Sequence, residues 1–189
     1  MAAEAEEGLV GEVLYDAKAV AERTGALGKS LAEELAQDRP VVVGVLTGAA
    51  PFTTDLVRAM APCPVGTELE FVRASSYHGG TESSGEVKLT VSSSLSLRGR
   101  TVVVVEDIID TGLTMRSLVD HLREKEGVSK LIVVTLLNKG ERRTADLSDV
   151  DIRVGFEIPD KFVVGYGLDF DGRFRTLPYV GVLHPRAYT

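Results

Sequence analysis

The stretch Thr101-Val-Val-Val-Val-Glu-Asp-Ile-Ile-Asp-Thr-Gly-Leu-Thr114 governs how the rest of the chain is read. After Thr101, Val102 to Val105 have the uniform apolar character of a strand covered on both faces. Glu106 and Asp107 then place two carboxylates at the strand's end, and Asp110 follows shortly after. Thr111-Gly112-Leu113-Thr114 is a turn that opens a helix. Free backbone N–H groups at a helix start, with threonine hydroxyls beside them, form a cup for one phosphate monoester; glycine permits the close approach. Acids beside such a cup would repel the phosphate itself. They therefore face hydroxyls or a divalent cation, with Mg2+ favoured by hard oxygen ligands. Taken singly, each residue is a solvated acid or a helix cap; taken as a string, they are a site.

The flanking sequence supplies a scaffold. Asp16 caps a helix on which Val20, Thr24, Leu27, Leu31 and Leu35 share one face. Gly25 and Gly28 weaken that helix by ~1 kcal/mol each relative to alanine. Arg39-Pro40 ends it, and Val41 to Leu46 forms a second buried strand. Phe52 to Met60 is helical until Pro62-Cys63-Pro64 breaks it. Residues 67–75 and 86–91 alternate as strands around a polar, glycine- and serine-rich loop, Ser75 to Gly85. Residues 113–126 form a helix with Met115, Leu118, Val119 and Leu122 inward. Lys130 to Leu136 is a third buried strand, and shorter strands follow at 151–156, 162–166 and 179–183. Strands alternating with helices give an α/β fold: a parallel-rich central sheet flanked by helices, joined by right-handed crossovers. Ligands then sit at the carboxyl ends of the strands, after Leu46, Val105 and Leu136. No internal repeat or linker divides residues 1–189.

Composition excludes several classes. The 189 residues are 44% hydrophobic and 26% charged, as in ordinary globular proteins. No apolar run has the length to cross a bilayer. Cys63 is the only cysteine, which excludes an intramolecular disulfide and a cysteine-based zinc site. The net charge of −7 argues against non-specific nucleic-acid binding, and it sits awkwardly with a phosphorylated substrate. The acidic N-terminal segment has no signal-peptide core, so a cytoplasmic location is expected. No Gly-x-x-x-x-Gly-Lys-[Ser/Thr] loop supports a nucleotide kinase. His78, His121 and His184 lack metal-ligand spacing.

The 101–114 string resembles the diphosphate-sugar motif of the type I phosphoribosyltransferases. A second block, Val154-Gly-Phe-Glu-Ile-Pro-Asp-Lys-Phe-Val-Val-Gly-Tyr-Gly-Leu-Asp169, continuing through Thr176-Leu177-Pro178, resembles the base-binding segment of the hypoxanthine-guanine branch of that family. Arg73-Ala-Ser-Ser-Tyr77 is similar to its mobile loop, where Ser76 and Tyr77 belong. The likeness runs from about Val41 to Leu183. It implies the type I phosphoribosyltransferase fold with a small hood built from roughly 1–15 and 155–189. It also implies purine salvage: phosphoribose passes from 5-phosphoribosyl-1-diphosphate (PRPP) to N9 of a 6-oxopurine base, with Mg2+ as cofactor.

Site roles follow from the resemblance. Glu106 and Asp107 meet the ribose hydroxyls and Mg2+. Asp110 lies near N7 of the purine and serves as acid–base catalyst. Thr111, Gly112, Leu113 and Thr114 hold the 5-phosphate, mostly through backbone N–H groups, so the identity of Leu113 matters little. Lys139 donates to O6 and so rejects adenine. Phe162 stacks on the base, and the Val163 backbone bonds its edge. Asp169, at the purine end, is a candidate ligand for a second Mg2+. Thr47, Gly48 and Arg175 contact diphosphate, with a cis peptide before Thr47. Thr47 departs from the basic residue common at that position, which removes one positive group from the loop. A homodimer or homotetramer is expected, with neither nucleic acid nor membrane as partner. The alternative of another class is a non-catalytic sensor of phosphorylated ribose; such a protein could dispense with Asp110 and Lys139, and this chain has both.

Overall fold

Two sheets divide the work in the computed structural model, which describes residues 8–76, 87–91 and 96–187. The larger contains β2 (Val41–Leu46), β3 (Glu68–Ser76), β4 (Val87–Val91), β5 (Thr101–Ile109), β6 (Lys130–Asn138) and β7 (Asp151–Glu157). Their spatial order is β4-β3-β2-β5-β6-β7, parallel throughout except for the antiparallel β3–β4 pair. The smaller sheet contains β1 (Val10–Tyr15), β8 (Val163–Val164) and β9 (Val180–Leu183), in the order β1-β9-β8. It joins a strand from early in the chain to two from late in it, the regions from which the sequence reading expects a hood. Residues 155–157, assigned from sequence to the hood, instead complete β7, because Phe156 and Glu157 pair with Leu137 and Asn138.

Three helices cover the larger sheet: α1 (Ala17–Glu34), α2 (Ala50–Ala59) and α3 (Leu113–Glu124). The uninterrupted apolar runs are explained by the pleat, which sends alternate residues to opposite faces. Val42, Val103, Val105, Ile132 and Val134 pack under α1 and α2 with Leu27, Leu31, Phe52 and Leu56. Val41, Val43, Val102, Val104 and Val133 face α3, against Met115, Leu118, Val119 and Leu122. Asp16 caps α1 as expected, its Oδ1 accepting from the Ala19 N–H at 2.7 Å. Gly28 has a packing reason: an added Cβ would lie 2.6 Å from the Ala59 Cβ, so glycine there lets α1 and α2 touch.

Two features depart from the sequence reading. The β1 strand was not foreseen. It is held by pairing with β9 and by Tyr15, whose ring stacks on Phe156 at 3.8 Å and ties the hood to β7. The β5 strand also does not end at Val105. Pairing with β6 continues to Ile108–Leu137 and Ile109–Asn138, so Glu106 and Asp107 lie within the strand rather than after it.

Candidate active site

At the carboxyl ends of β5 and β6 two cavities meet. The smaller, about 110 Å³, is lined by Glu106, Asp110, Thr111, Gly112 and Thr114 among others. Gly112 is the N-cap of α3 with φ +82°, a conformation glycine adopts freely. No side chain caps this helix, so the N–H groups of its first turn stay available. Leu113 is 60% exposed; its side chain faces solvent while its backbone belongs to the turn. The sequence reading expects a phosphate at this turn.

The larger cavity, about 480 Å³, opens beside it and takes in Asp107, Asp110, Lys139, Phe162, Val163 and Asp169. Asp110 lines both cavities and so stands at their junction. Lys139 is only 7% exposed. A lysine is seldom buried unless its charge is paired, and Nζ lies 3.6 Å from Asp110 Oδ2 and 3.3 Å from Asp160 Oδ1. Arg142 closes the cluster, its Nε 3.0 Å from Asp110 Oδ1 and its Nη1 3.3 Å from Asp160 Oδ1. Desolvation raises the Asp160 carboxyl, but the hydrogen bonds from Lys139 and Arg142 outweigh it and hold the group below its ordinary value. Phe162, a core residue when read alone, is 47% exposed at the cavity's edge and meets Phe170 edge-on at 5.7 Å. Val163 is buried and anchors β8 to β9.

Glu106 and Asp107 form a tight acidic pair. Burial, then the charge of Asp107, pushes Glu106 well above the ordinary carboxyl value; burial also raises Asp107, against the lowering effect of its hydrogen bonds and of Arg175. Two neighbouring carboxyls withdrawn from water each disfavour the other's ionised form. Among the described residues, no three His, Cys, Asp or Glu side chains converge as a metal site. Two adjacent carboxylates suit a Mg2+ that brings water and substrate oxygens with it.

Facing the pair is the loop after β2. A cis peptide joins Leu46 to Thr47, as the resemblance implies. Thr47 is exposed and Gly48 is buried. A Cβ on Gly48 would overlap the Asp107 carboxylate, and one on Gly167 would overlap the Gly48 carbonyl. Two glycines thus let three segments close on one another. Arg175 donates from Nη1 to the Gly167 carbonyl at 2.6 Å and pairs through Nη2 with Asp169 Oδ1 at 2.8 Å. Asp169 Oδ2 accepts from the Gly172 N–H at 2.8 Å, so both its oxygens are engaged within the protein. Beside this loop Tyr166 donates to Asp55 Oδ2 at 2.7 Å; burial, then Asp55, raises its phenol.

The structure thus brings together Glu106, Asp107, Asp110 to Thr114, Lys139, Phe162, Val163 and Asp169, with Thr47, Gly48 and Arg175 on the adjoining side. Ser76 is the last residue of β3, and Tyr77 lies outside the described residues. Sequence reasoning missed Arg142 and Asp160. The signal for Asp160 was its place within the base-segment block; Arg142 had none, since one arginine after a strand is common.

The architecture is that of a phosphoribosyltransferase. The phosphoribosyl transferase domain matches residues 11–171, and the chain belongs to that family. Within it, the chain is 42% identical over 179 residues to the hypoxanthine-guanine phosphoribosyltransferase of Lactococcus lactis subsp. lactis, covering 95% of this chain and 94% of that one. It is likewise 42% identical to the hypoxanthine-guanine phosphoribosyltransferase of Bacillus subtilis, over 95% and 96% of the two chains. A solved hypoxanthine phosphoribosyltransferase from Staphylococcus aureus superposes with a TM-score of 0.88 at 38% identity, over 98% and 97% of the chains. No helix among the described residues is long and apolar enough to cross a membrane.

Proposed function

We propose that this protein transfers phosphoribose from PRPP to N9 of hypoxanthine or guanine, giving IMP or GMP and diphosphate. The observation that carries the reading is the buried Lys139 ammonium at the far side of Asp110 from the phosphate cup. A fixed donor at that position accepts a 6-oxo group as partner and rejects the 6-amino group of adenine, itself a donor. Phe162, half exposed at the same cavity, offers a ring face to the purine, and the Val163 backbone bonds its edge.

The cup of Thr111 to Thr114 fixes the 5-phosphate, and Glu106 with Asp107 accepts hydrogen bonds from the ribose hydroxyls. The ribose then spans the two cavities, with its anomeric carbon at the junction. Asp110, on both cavities, accepts or relays the proton the base gives up as the bond to carbon forms. Arg175 and the backbone of Thr47 and Gly48 receive the leaving diphosphate; a guanidinium matches two of its oxygens at once. Glu106 and Asp107 would also hold Mg2+, which when bound neutralises charge on the diphosphate. With Thr47 in place of a basic residue, that neutralisation depends the more on the metal. Asp169 reaches a second ion only by releasing Arg175. The enzyme works as a homodimer or homotetramer in the cytoplasm.

Incubation with PRPP, Mg2+ and each purine base in turn tests the reading by nucleotide formation. Product is expected from hypoxanthine or guanine and none from adenine; absence of product from both 6-oxopurines removes the proposal. PRPP binding followed by calorimetry is expected to collapse in EDTA, and binding indifferent to Mg2+ would remove the metal's part.

A further inference from the structure

The phosphate cup stands in an acidic neighbourhood. Glu106 and Asp110 line it, yet no lysine, arginine or histidine among the described residues does. A phosphate dianion bound by backbone alone would feel those carboxylates at short range. Lys139 and Arg142 meet Asp110 from the side of the larger cavity; a further positive charge lies behind the turn. Arg143 follows the short 3-10 helix Gly140–Arg142. A Cβ on Gly112 would lie 2.7 Å from Arg143 Cδ and 3.1 Å from its Nε, so the arginine packs directly against the glycine that opens the cup.

Arg143 is held there by neutral partners. Its Nη2 donates to Asn138 Oδ1, and Asn138 Nδ2 donates in turn to the Glu157 carboxylate at 2.9 Å. The amide orientation is consistent at both ends: acceptor toward arginine, donor toward glutamate. Arg143 makes no salt bridge among the described residues, whereas its neighbour Arg142 is tied to two acids. The backbone on either side is fastened to the same turn. The Thr144 and Ala145 N–H groups both donate to the Thr111 carbonyl at 3.0 Å, and the Lys139 N–H donates to the Ile109 carbonyl at 2.9 Å.

We infer that Arg143 is a positioning residue for PRPP: an unneutralised guanidinium that backs the Gly112 turn, holds its shape and supplies the positive potential that the cup's own lining lacks. It touches no substrate. Its charge acts through the turn, in a partly buried setting where a guanidinium is screened less than at the surface. The inference rests on the cup holding the 5-phosphate.

The test separates the two ideas with ribose 5-phosphate, which fills the cup but carries no diphosphate. In the wild-type enzyme ribose 5-phosphate is expected to compete with PRPP. Arg143→Met keeps the aliphatic stem over Gly112 and removes the charge. It is expected to weaken ribose 5-phosphate about tenfold and raise the PRPP KM by a similar factor, a loss of about 1.4 kcal/mol. kcat should stay within twofold and inhibition by diphosphate should not change. Arg143→Lys, which keeps the charge, should retain most of the affinity. Arg143→Gln, which can keep the bond to Asn138, gives the same reading as methionine if the latter does not fold. Equal ribose 5-phosphate affinity in wild type and the neutral variants overturns the inference. So does an equal loss in the lysine and neutral variants, because that marks a role in shape alone. If ribose 5-phosphate fails to compete even in the wild type, the cup assignment itself falls and takes the inference with it.

Discussion

The two cavities, the small cup at the start of α3 proposed for phosphate and the larger one proposed for the base, share Asp110 but are built on opposite plans. The cup is main chain: the first turn of α3, opened by a left-handed glycine, with Leu113 turned out to water. The base cavity is side chain: Lys139 and Arg142 held between Asp110 and Asp160, with Phe162 at its edge. A main-chain site tolerates any side chain that leaves the turn intact. A side-chain site depends on each charge having its partner, because a buried charge left alone is costly.

Asp110→Asn, at the junction, tests both plans and carries the largest expected effect. It should lower kcat by roughly 10²–10⁴, the usual contribution of a positioned acid–base group, while PRPP and base affinities change far less. Equal single-turnover rates for wild type and variant would end the acid–base role. Lys139→Met comes next. It should raise the hypoxanthine KM roughly 10- to 100-fold, in keeping with the ~1.5–3 kcal/mol of a hydrogen bond to a charged group. The PRPP KM should hold, and a matching rise there would show that the two cavities are not separable. Gly112→Ala attacks the cup. The φ of +82° and the contact with Arg143 make the change strained, costing about 1–3 kcal/mol. The PRPP KM should rise about tenfold, whereas Leu113→Ala should leave it unmoved; steady-state kinetics on the two variants tells them apart.

The smallest effect concerns the acidic pair under both cavities. Glu106 binds its proton more tightly folded than unfolded, because its carboxyl is raised well above 4.5. Its contribution to stability is therefore complete below that value and is lost as pH rises through the folded-state value. The melting temperature of the ligand-free enzyme should fall over that rise, and Glu106→Gln should flatten that part of the curve. Coincident pH profiles for the two proteins would contradict the raised carboxyl.

The same contrast explains what could be read in advance. The turn at the start of α3 was legible because it is contiguous: Asp110 to Thr114 are neighbours in sequence and in space. The buried strands and the helices were legible from their apolar runs and from the 3.6-residue spacing of Val20, Leu27 and Leu31. The base cavity draws on residues 110, 139, 142, 160 and 162, whose meeting depends on the pairing of β5 with β6 and on the turns that follow. Lys139 and Phe162 were reached only through the family resemblance, and Arg142 not at all. The end of β5 was misplaced because polar residues normally close a strand; here continued pairing with β6 carries Glu106 and Asp107 inside it. The β1 strand was missed because its partner, β9, lies at the opposite end of the chain.

The outward-facing Leu113 has a practical use. It lies between Gly112 and Thr114, which line the cavity, while its own side chain stands in water. A single thiol installed there, with Cys63 replaced as the only native cysteine, would carry an environment-sensitive fluorophore at the edge of the cavity. The enzyme would then report ligand entry at this turn in real time, by light rather than by product.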